Sequence, residues 1–217
     1  MTISEFKKRI ITSFILLIMT LIIIISDFIL VFSIIVFGVL SLLEYFNLIQ
    51  RITTNRFLKI FLNTLFIIFI SVFCILFFYI SITLQMKLLL FIFLFGCIFS
   101  DIGGYIFGKI IQGPKLTKIS PNKTISGSIG SFIFTLISIG SFMFFLTSNF
   151  NFKVVILSII TSSACQLGDL FFSFLKRKAK IKDTGNFLPG HGGVLDRLDG
   201  VFFGLPAGFI TFLFFYL

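Results

Sequence analysis

Seven runs of apolar residues, parted by short polar breaks, decide what this chain can fold into. They fall at about 10–26, 28–48, 57–80, 88–108, 125–147, 154–175 and 200–217. A bilayer core of roughly 30 Å requires about 17–25 residues of helix, and every run reaches that length. Of the 217 residues 58% are hydrophobic and only 12% charged, against about a quarter charged in an ordinary soluble domain. No water-soluble fold of this size hides so much apolar surface. In lipid the backbone must satisfy its own polar groups, so the runs read as helices. The expected fold is all-α, a polytopic transmembrane helical bundle of about seven spans.

The polar breaks give the expected orientation. No A-x-A-like cleavage site follows the first run, and the second begins just beyond Ser26-Asp27. These two therefore read as a helical hairpin rather than a removable signal. With the N-terminus cytoplasmic, the inner regions are 1–9, 49–56 with Lys59, 109–124 and 176–199. They hold all of the 18 basic residues except Lys87 and Lys153, which is the sorting that membrane insertion favours. The net charge of +10 is thus spread over loops that meet lipid or nucleotide phosphates, and no nucleic-acid partner is expected. Cys74, Cys97 and Cys165 are isolated within apolar runs, and the single histidine excludes a His-rich metal site. The chain reads as one integral membrane unit. Residues 1–90 supply an N-terminal hairpin and third span, and 91–217 a catalytic region with cytoplasmic loops 109–124 and 176–199.

Acidic residues are few, and their positions carry chemistry. Asp101 and Asp169 lie within apolar runs, where a carboxylate is costly unless paired, hydrated or metal-bound; a helix-to-helix hydrogen bond is the plainer alternative. Asp196 and Asp199 are three residues apart, so a helix starting near Val194 puts both on one face. Two such carboxylates suit Mg²⁺ bridging substrate phosphates, although acids also favour a helix N-terminus for its dipole alone. Asp169, Ser173 and Lys176 share a helical stripe at i, i+4 and i+7, able to order a metal and a phosphate together. The run KRKAKIK (176–182) is otherwise a snorkelling basic patch. In Pro189-Gly-His-Gly-Gly193, glycines 190, 192 and 193 let the backbone bring N–H groups to an anion, with His191 beside them. The stretch Gly103–Lys109 matches the start of a P-loop, but Ile110 replaces the hydroxyl residue and the setting is a span. Gly104/Gly108 and Gly204/Gly208 read instead as helix-packing points.

The stretch SFLKRKAKIKDTGNFLPGHGGVLDRLDG (173–200) closely resembles the signature of phosphatidate cytidylyltransferases, also called CDP-diacylglycerol synthases. It has S-x-x-K-R, then K-D, then P-G-H-G-G-x-x-D-R-x-D. The blocks SDIGGYIFGK (100–109), KLTKISPNKTISG (115–127) and QLGDLFFSFLKR (166–177) are similar as well. The resemblance implies that CTP and phosphatidate give CDP-diacylglycerol and pyrophosphate, with Mg²⁺ as cofactor. It implies Asp169, Asp196 and Asp199 as metal carboxylates, with Asp101 as a further candidate. Lys176, Arg177, Asp183, His191 and Arg197 become the catalytic, largely phosphate-handling set. Ser120, Asn122, Lys123, Thr124, Ser173, Gly190, Gly192 and Gly193 become substrate-binding positions. A monovalent cation beside Mg²⁺ and a homodimer both stay open, and the site is expected at the cytoplasmic face of the inner cell membrane. Two positions depart from the family's pattern: Ser126 stands where many relatives have Glu, and Phe172 where an acid is common before the serine.

Two other readings compete. A CTP-dependent lipid kinase would use the same groups but release CDP rather than pyrophosphate. A transporter also places acids within spans, but near the midplane rather than gathered at one face.

Overall fold

The computed structural model describes residues 18, 22–117, 119–185, 187 and 192–216. Among these residues seven helices are named in order: α1 (Asp27–Ile52), α2 (Arg56–Ser81), α3 (Leu84–Ile110), α4 (Ile125–Thr147), α5 (Phe152–Lys178), α6 (Leu195–Leu198) and α7 (Val201–Tyr216). The long ones begin where the sequence supplies a cap. Ser26, Thr83 and Thr124 accept hydrogen bonds from the N–H groups of Ile29, Met86 and Gly127, and the Asn55 side chain accepts from Phe57 and Leu58. Among the described residues six helical segments, counting Leu195–Tyr216 as one, are long and apolar enough to cross a membrane. The fold is all-α and polytopic, as expected of an integral membrane protein. The apolar run at 125–147 and α4 have the same limits, and the other described runs agree with their helices within a few residues. The run at 10–26 lies largely outside the described residues.

By its contacts the chain forms two units: Met1–Ser81 with Leu175–Leu198, and Ile82–Phe174 with Asp199–Leu217. The boundary falls within α5. In the first unit, Tyr45 of α1 stacks on Phe66 of α2, ring centroids 3.8 Å apart. Gly38 leaves room there for the Cys74 side chain.

In the second unit α3 and α4 meet backbone to backbone. A Cβ on Gly130 would lie 2.6 Å from the carbonyl oxygen of Gly103, and one on Gly127 would lie 2.8 Å from that of Gly104. Only glycine allows this approach, which lets dispersion and short polar contacts hold two helices together where lipid is the solvent. Gly108 faces Thr124, Gly204 faces Cys97 and Cys165, and Gly208 faces Thr161 and Phe93, so both glycine pairs read from the sequence are packing points. Buried hydroxyls bridge α3 to both α4 and α5: Ser131 donates to the Ser100 carbonyl at 2.8 Å, and Ser100 and Ser162 share a bond of 3.1 Å.

The helix expected to carry both Asp196 and Asp199 is interrupted. α6 ends at Leu198, and Asp199 stands in a turn where its own Oδ1 accepts from the Gly200 N–H at 2.9 Å. Aspartate competes for nearby backbone donors in this way and favours turns over helix interiors.

Candidate active site

The segment between α3 and α4 is a folded hairpin rather than a slack connection. Gln112 and Gly113 take left-handed φ angles of 56° and 111°, turning the chain away from the end of α3. Lys115 and Thr124 then form an antiparallel bridge, with Leu116 N–H donating to the Lys123 carbonyl at 2.8 Å. Ile125 N–H donates to the Pro114 carbonyl at 3.0 Å, and Lys123 N–H to that of Ser120 at 3.0 Å. With its backbone so fixed, Lys123 reaches α5 and forms an ion pair with Asp169. The pair faces a cavity of about 320 Å³ that Asp101, Ser120, Asn122 and Thr124 also line. Behind them Ser128 donates to Gln166 Oε1 at 2.6 Å, and Gln166 Nε2 donates to Ser162 at 3.2 Å. Ser173 joins through a long 3.5 Å hydrogen bond to Asp169 Oδ1. Six of the residues singled out from sequence thus line one cavity.

The other unit holds a second lysine–aspartate pair. α5 closes with the bonding of a Schellman motif: Ile181 N–H donates to the Lys176 carbonyl and Lys180 N–H to that of Arg177, with Lys180 left-handed at φ 56°. This fixes Lys176 on the last turn, where its Nζ donates to Asp196 Oδ1 at 2.8 Å. Asp196 Oδ2 accepts from Thr184 N–H at 2.8 Å and Gly193 N–H at 3.0 Å. The anion that Gly193 presents its N–H to is therefore the Asp196 carboxylate. Gly192 is left-handed, φ 83°, and passes close to both Asp183 and Asp196.

Sequence reasoning passed over Glu44 as a site residue. Its carboxylate, buried on α1, accepts from Val194 N–H at 3.0 Å, Leu195 N–H at 2.9 Å and the Thr184 hydroxyl at 2.8 Å. The signal was present: an acid near the end of an apolar run, the feature that drew notice to Asp101 and Asp169.

The remaining candidates are placed more openly. Arg177, Asp183 and Arg197 are exposed. Asp183 lines a cavity of about 480 Å³ with Asn47, Gln50, Arg51 and Thr184. Gly190 and His191 lie outside the described residues. Both departures from the resembled pattern have local explanations. Phe172 is buried against the rings of Phe171, Phe202 and Phe203, with centroids 5.2–6.4 Å away. Ser126 donates to the Gln112 carbonyl and bonds the Thr124 hydroxyl at 2.9 Å.

The three aspartates expected to hold a cation offer only carboxylate oxygen, the donor class of Mg²⁺. Asp169 and Asp196 each already carry a lysine ammonium, so both stand where positive charge is stabilised. Among the described residues no three acidic, histidine or cysteine side chains are gathered around one point. Mg²⁺ commonly uses one or two carboxylates and completes its shell with substrate phosphates and water, so the donor chemistry fits.

The sequence profile of the cytidylyltransferase family matches residues 52–215. This chain belongs to the cytidylyltransferase family. Its relatives include the phosphatidate cytidylyltransferase of Staphylococcus haemolyticus (strain JCSC1435), 47% identical over 109 residues, which is 49% of this chain and 42% of the relative. That of Helicobacter pylori (strain ATCC 700392 / 26695) is 41% identical over 106 residues, 48% and 40% of the two chains. That of Brucella suis biovar 1 (strain 1330) is 39% identical over 125 residues, 57% and 45%. The matched stretch spans less than half the length of these curated relatives. Both lysine–aspartate pairs of this cytidylyltransferase-family chain lie within the residues its family profile matches, whereas Glu44 precedes them.

Proposed function

We propose that this chain transfers the cytidylyl group of CTP to phosphatidate, giving CDP-diacylglycerol and pyrophosphate. The observation that carries this reading is the Lys123–Asp169 pair, a charged couple facing a cavity lined by hydroxyl, amide and carboxylate side chains. Such a site suits a phosphate that is anchored in lipid at one end and charged at the other. The relatives named above, together with the 173–200 signature, supply the identity of the reaction.

In the reaction, a phosphate oxygen of phosphatidate attacks the α-phosphorus of CTP. The bond from that phosphorus to the bridging oxygen breaks, and its electron pair leaves with pyrophosphate. The nucleophile is already anionic, so no strong base is needed; what the site must supply is positive charge and orientation. Lys123 and Lys176 supply charge, each held in place by its aspartate, and Ser120, Asn122, Thr124 and Ser173 supply donors to phosphate oxygens. Arg177, His191 and Arg197 extend the phosphate-handling set. One or two of Asp169, Asp196 and Asp199 would hold Mg²⁺, which would neutralise charge on the triphosphate and the leaving group. The sorting of basic residues supports a cytoplasmic N-terminus and a site at the inner face of a bacterial-type cell membrane.

Purified full-length protein in detergent, given labelled CTP, phosphatidate and Mg²⁺, is expected to release pyrophosphate and form CDP-diacylglycerol, and EDTA is expected to stop it. Release of CDP with a phosphorylated lipid product would replace this reading with a lipid kinase. No turnover of CTP would end it.

A further inference from the structure

We infer that Glu44 is a positioning residue for Asp196, an inference that rests on the reaction proposed above. Glu44 is 8% exposed, and its carboxylate uses both oxygens, Oε1 toward Val194 N–H and Oε2 toward Leu195 N–H and the Thr184 hydroxyl. A buried carboxylate is costly unless hydrogen-bonded, and here three donors from a distant stretch of chain converge on it.

The arrangement does more than cap the four-residue helix α6. Glu44 and Asp196 divide one set of donors between them. Thr184 gives its hydroxyl to Glu44 and its N–H to Asp196. Of three consecutive backbone N–H groups, that of Gly193 goes to Asp196, and those of Val194 and Leu195 go to Glu44. Wherever Glu44 stands, it fixes the backbone that fixes the Asp196 carboxylate, and Asp196 in turn holds Lys176.

Two glycines mark how closely the chain is drawn in. A Cβ on Gly185 would lie 2.6 Å from Glu44 Oε1, and one on Gly193 would collide with Oε2 and with the Thr184 hydroxyl. Glu44 is itself anchored, because its neighbour Tyr45 is buried and stacks on Phe66 of α2. It therefore acts as a fixed post to which the loop is tied, without touching substrate.

The test uses Glu44→Gln, which keeps the shape but places an NH₂ donor among N–H donors. Hydrogen bonds to a charged group set the scale, so kcat is expected to fall about ten- to a hundredfold. KM for CTP should stay near its wild-type value, since Glu44 binds no substrate. Glu44→Asp keeps the charge on a stem one methylene shorter and is expected to recover part of the loss. Amide exchange in detergent should quicken at Thr184 and at 193–195 in Glu44→Gln, while the amides of α4 keep their protection as a reference for folding. Adding Thr184→Val should cost less in Glu44→Gln than in the wild type, because the hydroxyl has already lost its acceptor. Unchanged exchange at 193–195, wild-type kcat in Glu44→Gln, or strict additivity with Thr184→Val each overturns the inference. A wild-type protein that does not turn over CTP defeats the proposed reaction instead, and the exchange measurement still decides the tie between Glu44 and the loop.

Discussion

The two lysine–aspartate pairs share their chemistry and differ in their surroundings. Lys176 and Asp196 have side chains 13% and 7% exposed, and the carboxylate accepts two backbone N–H groups besides the ammonium. Lys123 and Asp169 are 26% and 29% exposed and open onto a cavity. The first pair is closed, with its geometry over-determined. In the second, either partner can exchange the other for an incoming phosphate or cation at little cost, because water and cavity space are at hand. In a nucleotidyl-transfer site a closed pair is suited to hold the frame and an open pair to do the exchanging. The comparison can be broken by showing that the two respond alike to mutation.

The largest contrast is expected in stability. Lys176→Ala leaves the Asp196 carboxylate without its cation in a largely buried place, a loss of about 3–5 kcal/mol. Lys123→Ala removes one partner of a more exposed pair and should cost less than about 1 kcal/mol. Thermal unfolding in detergent checks both, and equal shifts would erase the distinction between closed and open.

Activity should follow next. With folding preserved, Lys123→Ala is expected to lower kcat about a hundredfold, the usual effect of removing one group that stabilises developing charge. Asp169→Asn should also cut activity with little change in melting temperature, and should weaken the response to Mg²⁺. Initial rates across a Mg²⁺ titration measure this. A wild-type Mg²⁺ response in Asp169→Asn would remove that residue from the metal set.

These contrasts bear on what the sequence could disclose. The helices were legible because lipid imposes one rule on every span, and α4 coincides with its apolar run. Lys123 and Asp169 were both nameable as candidates, but their pairing depends on the hairpin at 111–124, which is set by backbone bonds and a left-handed Gln112 that no simple pattern announces. The three-residue spacing of Asp196 and Asp199 suggests one face of a continuous helix, whereas α6 ends at Leu198 and Asp199 stands in the turn beyond it, its carboxyl accepting from the next N–H. Glu44 was visible as an acid near the end of an apolar run, but its partners were not. Its partners lie 140 to 151 residues further along the chain, so only the folded structure joins them.

A finer contrast comes from changing the cation's shape while keeping its charge. Lys176 is a compact ammonium fitted to one carboxylate oxygen in a closed setting. A guanidinium there would replace that point charge with a broad planar fork of different geometry. Lys176→Arg is therefore expected to rescue only part of what Lys176→Ala loses. Lys123→Arg, facing a cavity, should retain more of the wild-type rate. Comparable rates for the two arginine variants would show that the cavity restricts Lys123 as strongly as the fold restricts Lys176.

The smallest effect is expected at Ser126, beside the open pair. Ser126 is the second residue of α4, and its hydroxyl ties that helix to the Gln112 carbonyl and to the Thr124 cap. Ser126→Glu would lose the bond to Gln112, worth about 0.5–1.5 kcal/mol. It would also place a negative charge at a helix N-terminus, which typically returns about 0.3–1 kcal/mol. The two nearly cancel, so the melting temperature should hardly move. Any change in activity would then come from the new carboxylate acting on the neighbouring cavity, where it would compete with Asp169 for Lys123. A modest rise in KM for CTP is the expected reading at low Mg²⁺, disappearing as Mg²⁺ is raised. A large loss of stability would instead mean that the Gln112–Ser126 tie sets the hairpin, and that the openness of the Lys123–Asp169 pair depends on it.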